Sequence, residues 1–223
     1  MQARIDAAAQ QSGRDPGGIV LLAVSKLQSV EKIRALYAAG QRAFGENYVQ
    51  EGADKIAGLA ASPQHADIEW HLIGPLQSNK TRAVAENFQW VHSVDRLKIA
   101  ERLSAQRPAH LPPLNICIQV NISAEASKSG CAPDAALALM DAASRLPGLS
   151  LRGLMGMPEP GRDEAATRAQ FMMLAGLFAA SRSRIASVDT LSMGMSDDLE
   201  LAVACGSTLL RVGTALFGAR PSA

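Results

Sequence analysis

Short runs of apolar, often β-branched residues recur at 19–25, 43–45, 70–73, 90–92, 114–120, 151–155, 190–193 and 209–212. Each is brief, lacks helical spacing and is followed by a turn, which is the pattern of a strand buried on both faces. Between them the apolar positions take a helical period at 30–39, 48–59, 80–87, 96–106, 133–145, 163–185 and 197–204, with an opening helix at 3–11. Strand and helix therefore alternate throughout. An open doubly wound sheet shares that alternation, but eight strand signals in 223 residues favour an α/β fold of the closed TIM-type (β/α)8 kind. The run at 43–45 is the weakest of the eight, being short and ending in glycine. Residues 158–162 read as a loop after the sixth strand, and the absence of repeats, linkers and low-complexity tracts predicts a single domain over 1–223.

Composition agrees with such a fold. Hydrophobic residues make up 48% and charged residues 19%, the balance of a globular chain able to bury a core. A formal net charge of +1 without a run of Lys or Arg excludes a broad surface for nucleic acid or anionic membrane, so any bound anion is expected to be small. Cys117, Cys131 and Cys205 are widely separated and lack metal-ligand spacing. They point to a reducing compartment without a metal site, each as a small buried apolar residue. The N-terminal residues lack the apolar segment of a secretory signal, and no stretch is long and apolar enough for a membrane span, so the expected location is the cytoplasm.

In parallel barrels the strand C-termini carry the site, and here the residues just past the apolar runs are polar. Lys26 follows LLAVS, Glu46 and Asn47 follow AFG, Ser196 follows SMGM, and Gly213 with Thr214 follow LRV. At the end of an apolar strand, desolvation lowers a lysine pKa and yields the neutral amine that attacks an aldehyde. A lysine whose stem leaves the barrel rim and whose ammonium reaches water fits the position equally well. Ser196, ahead of a helix opening with Asp197 and Asp198, and the Gly213–Thr214 turn can together cradle a phosphate after strands seven and eight. Taken alone, Ser196 reads as an ordinary helix cap and Gly213 as a turn residue. Lysine and cradle together are more informative, because a ligand bearing both an aldehyde and a phosphate needs both. Asn47 is either a helix cap or a residue of the same site. His71 and His92 read as satisfied core histidines. The methionines at 155, 157, 172, 173, 193 and 195 are expected mostly in the core, Met172 and Met173 above all.

The chain resembles the pyridoxal phosphate homeostasis proteins, which look like the barrel domain of bacterial alanine racemases standing alone. The resemblance runs nearly end to end. It rests on LLAVSK (21–26), FGENYVQE (44–51), WHLIGPLQSNK (70–80), VHSVDR (91–96), the NIS…E…K.G pattern (121–130), RGLMGMP (152–158), LSMGMSDDLE (191–200) and RVGTALFGAR (211–220). It implies pyridoxal 5′-phosphate as the cofactor, Lys26 as its Schiff-base lysine, Ser196 with the Gly213–Thr214 backbone at the phosphate, Arg211 near the pyridine nitrogen and Asn47 bordering the ring. An arginine at the nitrogen does not favour a protonated pyridinium, so carbanion chemistry is less encouraged, although the racemases manage with a similar arginine. Lys128 and nearby basic residues leave open a second site at the rim. Leu27 and Ser29 depart from the threonine and proline usual after the lysine, and the first helix looks short for the family.

Two functions compete under this resemblance. The favoured one is a non-enzymatic protein of intracellular cofactor homeostasis, which stores or buffers pyridoxal phosphate or delivers it to dependent apo-enzymes. The alternative is an amino-acid racemase. Two-base racemisation needs an acid–base group on each cofactor face, which the racemases complete with a tyrosine from a partner's second domain. This sequence holds only Tyr37 and Tyr48; Tyr37 falls on an outer helix, and Tyr48 stays open as the second group. A remoter reading has Lys26 form a Schiff base with phosphorylated sugars, as in aldolases. A monomer is expected by analogy, since racemase dimers rely partly on their second domain.

Overall fold

The computed structural model describes residues 1–60, 62–123 and 129–218, so Lys128 and half of its motif lie outside the described residues. Eight strands, β1 (Val20–Val24), β2 (Ala43–Glu46), β3 (Glu69–Leu72), β4 (Trp90–Val94), β5 (Leu114–Val120), β6 (Leu149–Gly156), β7 (Thr190–Ser192) and β8 (Leu209–Val212), pair in parallel and in chain order into a closed barrel. Closure comes from β1 on β8, with Val20 opposite Leu209 through to Ala23 opposite Val212. The barrel, and not the open sheet, is thus the architecture. Even the short second strand is present, paired to β3 from Ala43–Glu69 through Glu46–Leu72.

The outer layer is α1 (Gln2–Gln11), α2 (Val30–Ala38), α3 (Val49–Ala60), α4 (Thr81–Asn87), α5 (Leu97–Gln106), α6 (Ala136–Ala143), α7 (Glu164–Arg182), α8 (Leu199–Ala204) and a short α9 (Thr214–Phe217). Each turns one stripe inward. In α5, Ile99, Ala100 and Leu103 are buried at helical spacing, and α7 is capped by Asp163, whose carboxylate accepts from the Ala166 N–H at 2.8 Å.

Strand residues of period two divide between two cores. Phe44, Leu72, Val91, Ile116, Leu154 and Leu210 belong to the large cluster shared with the helices. The alternate positions form two small clusters inside the barrel, Leu22–Ala43–Leu209 and Trp90–Cys117–Met155. Two positions beyond Trp90 and Leu209 stand His92 and Arg211, so the interior is partly polar.

Two side-chain expectations need correction. Met172 and Met173 are exposed, as are Met157 and Met195, while only Met155 and Met193 of that set are in the core. The helical period of α7 is carried inward by Thr167, Phe171, Leu174 and Phe178, which leaves Met172 and Met173 on the outer face. Cys131 is half-buried, unlike Cys117 and Cys205, and burial still holds its thiol up at about 11.

Candidate functional site

At the strand C-termini one cleft of about 410 Å³ is lined by Val24, Lys26, Gln28, Asn47, Ile73, Gly74, Pro75, Met157, Met195, Ser196, Asp197, Arg211, Gly213 and Thr214. Its volume is ordinary for a small-molecule site. All six residues singled out from sequence, Lys26, Asn47, Ser196, Arg211, Gly213 and Thr214, therefore meet in one place.

Lys26 leaves the end of β1 half-buried, and the chain on both sides of it is clamped. Lys55 of α3 donates to the Ser25 carbonyl at 2.7 Å and to Glu46 Oε1 at 2.8 Å and Glu51 Oε1 at 2.7 Å. Glu51 Oε1 in turn accepts the Leu27 N–H at 2.6 Å, and Leu27 lies at φ +59°. A leucine in the left-handed region is strained by roughly 1–2 kcal/mol, so the acidic partner holds a conformation the chain would otherwise leave. Burial pushes the Glu46 carboxyl up, against the opposing hydrogen bonds from Lys55 and Ser25. This buried cluster was not singled out from sequence, although a charged residue at position 55 on the inward stripe of an amphipathic helix was a legible signal.

Asn47 is not a helix cap. Because α3 begins at Val49, Asn47 stands before the helix and borders the cleft, packed against the next strand end. A Cβ on Gly74 would fall 2.1 Å from the Asn47 carbonyl oxygen, so this approach requires glycine. Ser196 is not a cap either. The helix expected from Asp197 starts only at Leu199, with Asp198 as its N-cap, and Ser196 sits in the preceding turn. Asp198 Oδ1 accepts the Met195 N–H, which folds that carboxylate away from the cleft lining. Arg4 of α1 donates to the Ser196 carbonyl at 3.1 Å and pairs with Glu200 at 2.8 Å. The first helix, short as it looks, thus staples the turn that carries Ser196.

Arg211 reaches the cleft from inside the barrel, 4% exposed. Its Nη1 donates to Ser192 Oγ at 2.7 Å and its Nη2 to the Gly156 carbonyl at 3.0 Å. Burial pushes its pKa down to about 10, which leaves it a cation at neutral pH. On the other side, Gly213 and Thr214 open α9, whose leading N–H groups have no acceptor within the helix. A Cβ on Gly213 would meet only Val24, at 3.5 Å, so no protein group demands glycine there. The cleft therefore offers an amine, a cationic guanidinium and two hydroxyls beside backbone donors.

Tyr37 lies on the outer helix and bonds the Gln64 carbonyl and Asp67, and Tyr48 is exposed without lining the cleft. Among the described residues no group of His, Cys, Asp and Glu is arranged to hold a metal ion, and no helix is long and apolar enough to cross a membrane.

The family model of the alanine racemase N-terminal domain matches residues 2–221. A curated relative from Pseudomonas aeruginosa, a pyridoxal phosphate homeostasis protein, is 59% identical over 98% of this chain and 92% of its own length. PipY of Synechococcus elongatus, solved with PLP bound, superposes with a TM-score of 0.81 at 39% identity, covering 98% of this chain and all of that one. Alanine racemase from Corynebacterium glutamicum shares the fold at a TM-score of 0.68 and 17% identity, with this chain spanning 61% of it. The chain belongs to the pyridoxal phosphate homeostasis proteins, within the alanine racemase N-terminal domain family.

Proposed function

We propose that this chain binds pyridoxal 5′-phosphate in the cleft as a Schiff base on Lys26, and that it stores, buffers or delivers the cofactor in the cytoplasm without robust turnover of its own. The observation that carries the reading is the meeting of Lys26, Asn47, Ser196, Arg211, Gly213 and Thr214 in one cleft of a protein 39% identical to PipY, which was solved with PLP bound. The residues present fit the group. Ser196, Thr214 and the N–H groups opening α9 suit a phosphate, and a glycine that nothing in the protein requires is explained by close approach of a ligand to its backbone. Arg211 would face the ring nitrogen as a donor that remains charged, and Asn47 would border the ring.

When bound, the cofactor supplies an aldehyde for amines and an electron sink for carbanions. The chain's own residues favour holding over turnover. The ionisable residues described in the cleft lining are Lys26, Asp197 and Arg211, and Asp197 adjoins Ser196 on the phosphate side. A two-base racemisation needs a second acid–base group across the ring from Lys26, and neither tyrosine is there. Relatives named for homeostasis agree with a non-enzymatic role. The acceptors would be apo-enzymes that depend on the cofactor, and the protein would act as a monomer.

The test is to load the protein, remove free cofactor, and mix it with such an apo-enzyme beside a scavenger of free aldehyde, while assaying racemisation of alanine separately. Reactivation of the apo-enzyme without sustained racemisation supports the carrier. Sustained racemisation supports the alternative.

A further inference from the structure

Barrel interiors are ordinarily filled by branched apolar side chains, yet here β3, β4, β7 and β8 send a file of polar groups along the axis. His71 Nδ1 lies 2.9 Å from His92 Nε2, and His92 Nδ1 lies 2.9 Å from Ser192 Oγ. Ser192 Oγ accepts from Arg211 at 2.7 Å. All four residues are buried. At the far end His71 Nε2 has no hydrogen-bond partner and stands 3.8 Å from Glu69 Oε2. The His71 ring stacks on Trp90, 5.1 Å between centroids at 8°, and the Trp90 N–H donates to Glu69 Oε1. Glu69, His71, Trp90, Arg152 and Asp189 line a separate hollow of about 210 Å³ around the starts of the strands. The file thus joins the two ends of the barrel.

Its direction follows from donor chemistry. A guanidinium only donates, so Ser192 Oγ accepts from Arg211, and its own hydrogen is free to donate to His92 Nδ1, the order that the Glu69 end selects. With Nδ1 accepting, a neutral His92 carries its proton on Nε2 and donates it to His71 Nδ1. His71 then carries its proton on Nε2, toward the Glu69 carboxylate. In the reverse order a bare His71 nitrogen would face a carboxylate oxygen, two lone pairs against each other. Every bond in the file therefore points from Arg211 toward Glu69.

We propose that His71, His92 and Ser192 form a polarised relay through the barrel in which the two histidines are positioning residues for Arg211, fixing the guanidinium at the cleft floor. Ser192 can orient Arg211 only if its hydrogen has a fixed acceptor, and His92 is that acceptor only while His71 takes the proton on its other nitrogen. Such a chain is cooperative, so the loss of a middle member loosens the whole.

The direct test needs no cofactor: long-range ¹H–¹⁵N spectra of the protein at neutral pH, with His71 and His92 assigned by His→Gln variants, report which ring nitrogen holds each proton. The relay requires Nε2–H on both. An Nδ1–H form, or an imidazolium, at either overturns it. The positioning role, which rests on the cofactor reading above, is tested by His92→Leu against His92→Gln, whose amide both accepts and donates. His92→Leu is expected to hold pyridoxal phosphate roughly tenfold more weakly and to shift its visible band, while His92→Gln stays close to wild type. A His92→Leu band and affinity equal to wild type overturn the positioning role. A wild type with no band dependent on Lys26 counts against the cofactor reading instead, and the nitrogen assignment then decides the relay alone.

Discussion

The ammonium of Lys55 lies 2.7 Å from the carbonyl oxygen of Ser25, so the residue before the cleft lysine is held by a side chain of the second strand–helix unit. Because the same ammonium binds Glu46 and Glu51, and Glu51 holds the N–H of the left-handed Leu27, the two peptide units flanking Lys26 share one buried ionic cluster. The direction in which Lys26 leaves β1 is thus set from α3.

Removing the cation should therefore cost more than a surface ion pair. Lys55→Met is expected to destabilise the fold by about 3–5 kcal/mol, since it strands the fully buried Glu46 carboxylate. Urea unfolding checks this, and adding Glu46→Gln to Lys55→Met should recover part of the loss. A surface-like change below about 1 kcal/mol would show that the cluster does not hold the strand end.

Gly74→Ala puts a methyl 2.1 Å from the Asn47 carbonyl, where only backbone movement relieves it. We expect a loss of about 1–3 kcal/mol in thermal or urea unfolding, with weakened cofactor retention as Asn47 is displaced. Stability and retention both at wild-type values would place Asn47 outside the site.

Ser196→Ala removes a hydroxyl at the proposed phosphate end of the cleft without touching the core. Its stability should change by less than about 0.5 kcal/mol, while the dissociation constant for pyridoxal phosphate rises roughly tenfold, the scale of one hydrogen bond to a charged group. Equilibrium dialysis against the cofactor separates the two effects.

Stability should fall on mild acidification. Burial holds His71 below, and His92 well below, the usual imidazole range. Both therefore stay neutral in the folded protein further into the acid range than a free imidazole does, and above about pH 6.5 they are neutral when unfolded too. As the pH drops below that value the unfolded chain takes up protons that the folded one refuses, costing up to about 1.4 kcal/mol per pH unit for each histidine. The urea midpoint should drop between about pH 7.5 and about pH 5.5, and less steeply in His92→Gln.

Most of the fold was legible because each strand end coincides with a change of residue type. The run before Lys26 is apolar through Val24 and polar from Ser25, and the chain order of the strands makes every pairing except the β1–β8 closure one between sequential strands. The helix after Ser196 starts two residues later than expected: the two aspartates suggest a first helical turn, whereas the Asp198 carboxylate accepts the Met195 N–H and Asp198 caps the helix itself. Met172 and Met173 were misread because long apolar side chains on a 19-residue helix do not reveal which stripe turns inward. The axial file was hidden for a different reason. His92 and Ser192 are 100 residues apart, and nothing local to either marks the other as its partner.

The central claim is that Lys26 anchors the cofactor. Its most direct test is the visible absorption spectrum of the purified protein with added pyridoxal phosphate, before and after borohydride, beside a Lys26→Ala variant. The account predicts a borohydride-reducible Schiff-base band in wild type that Lys26→Ala lacks. The same band in both proteins, or in neither, would contradict it.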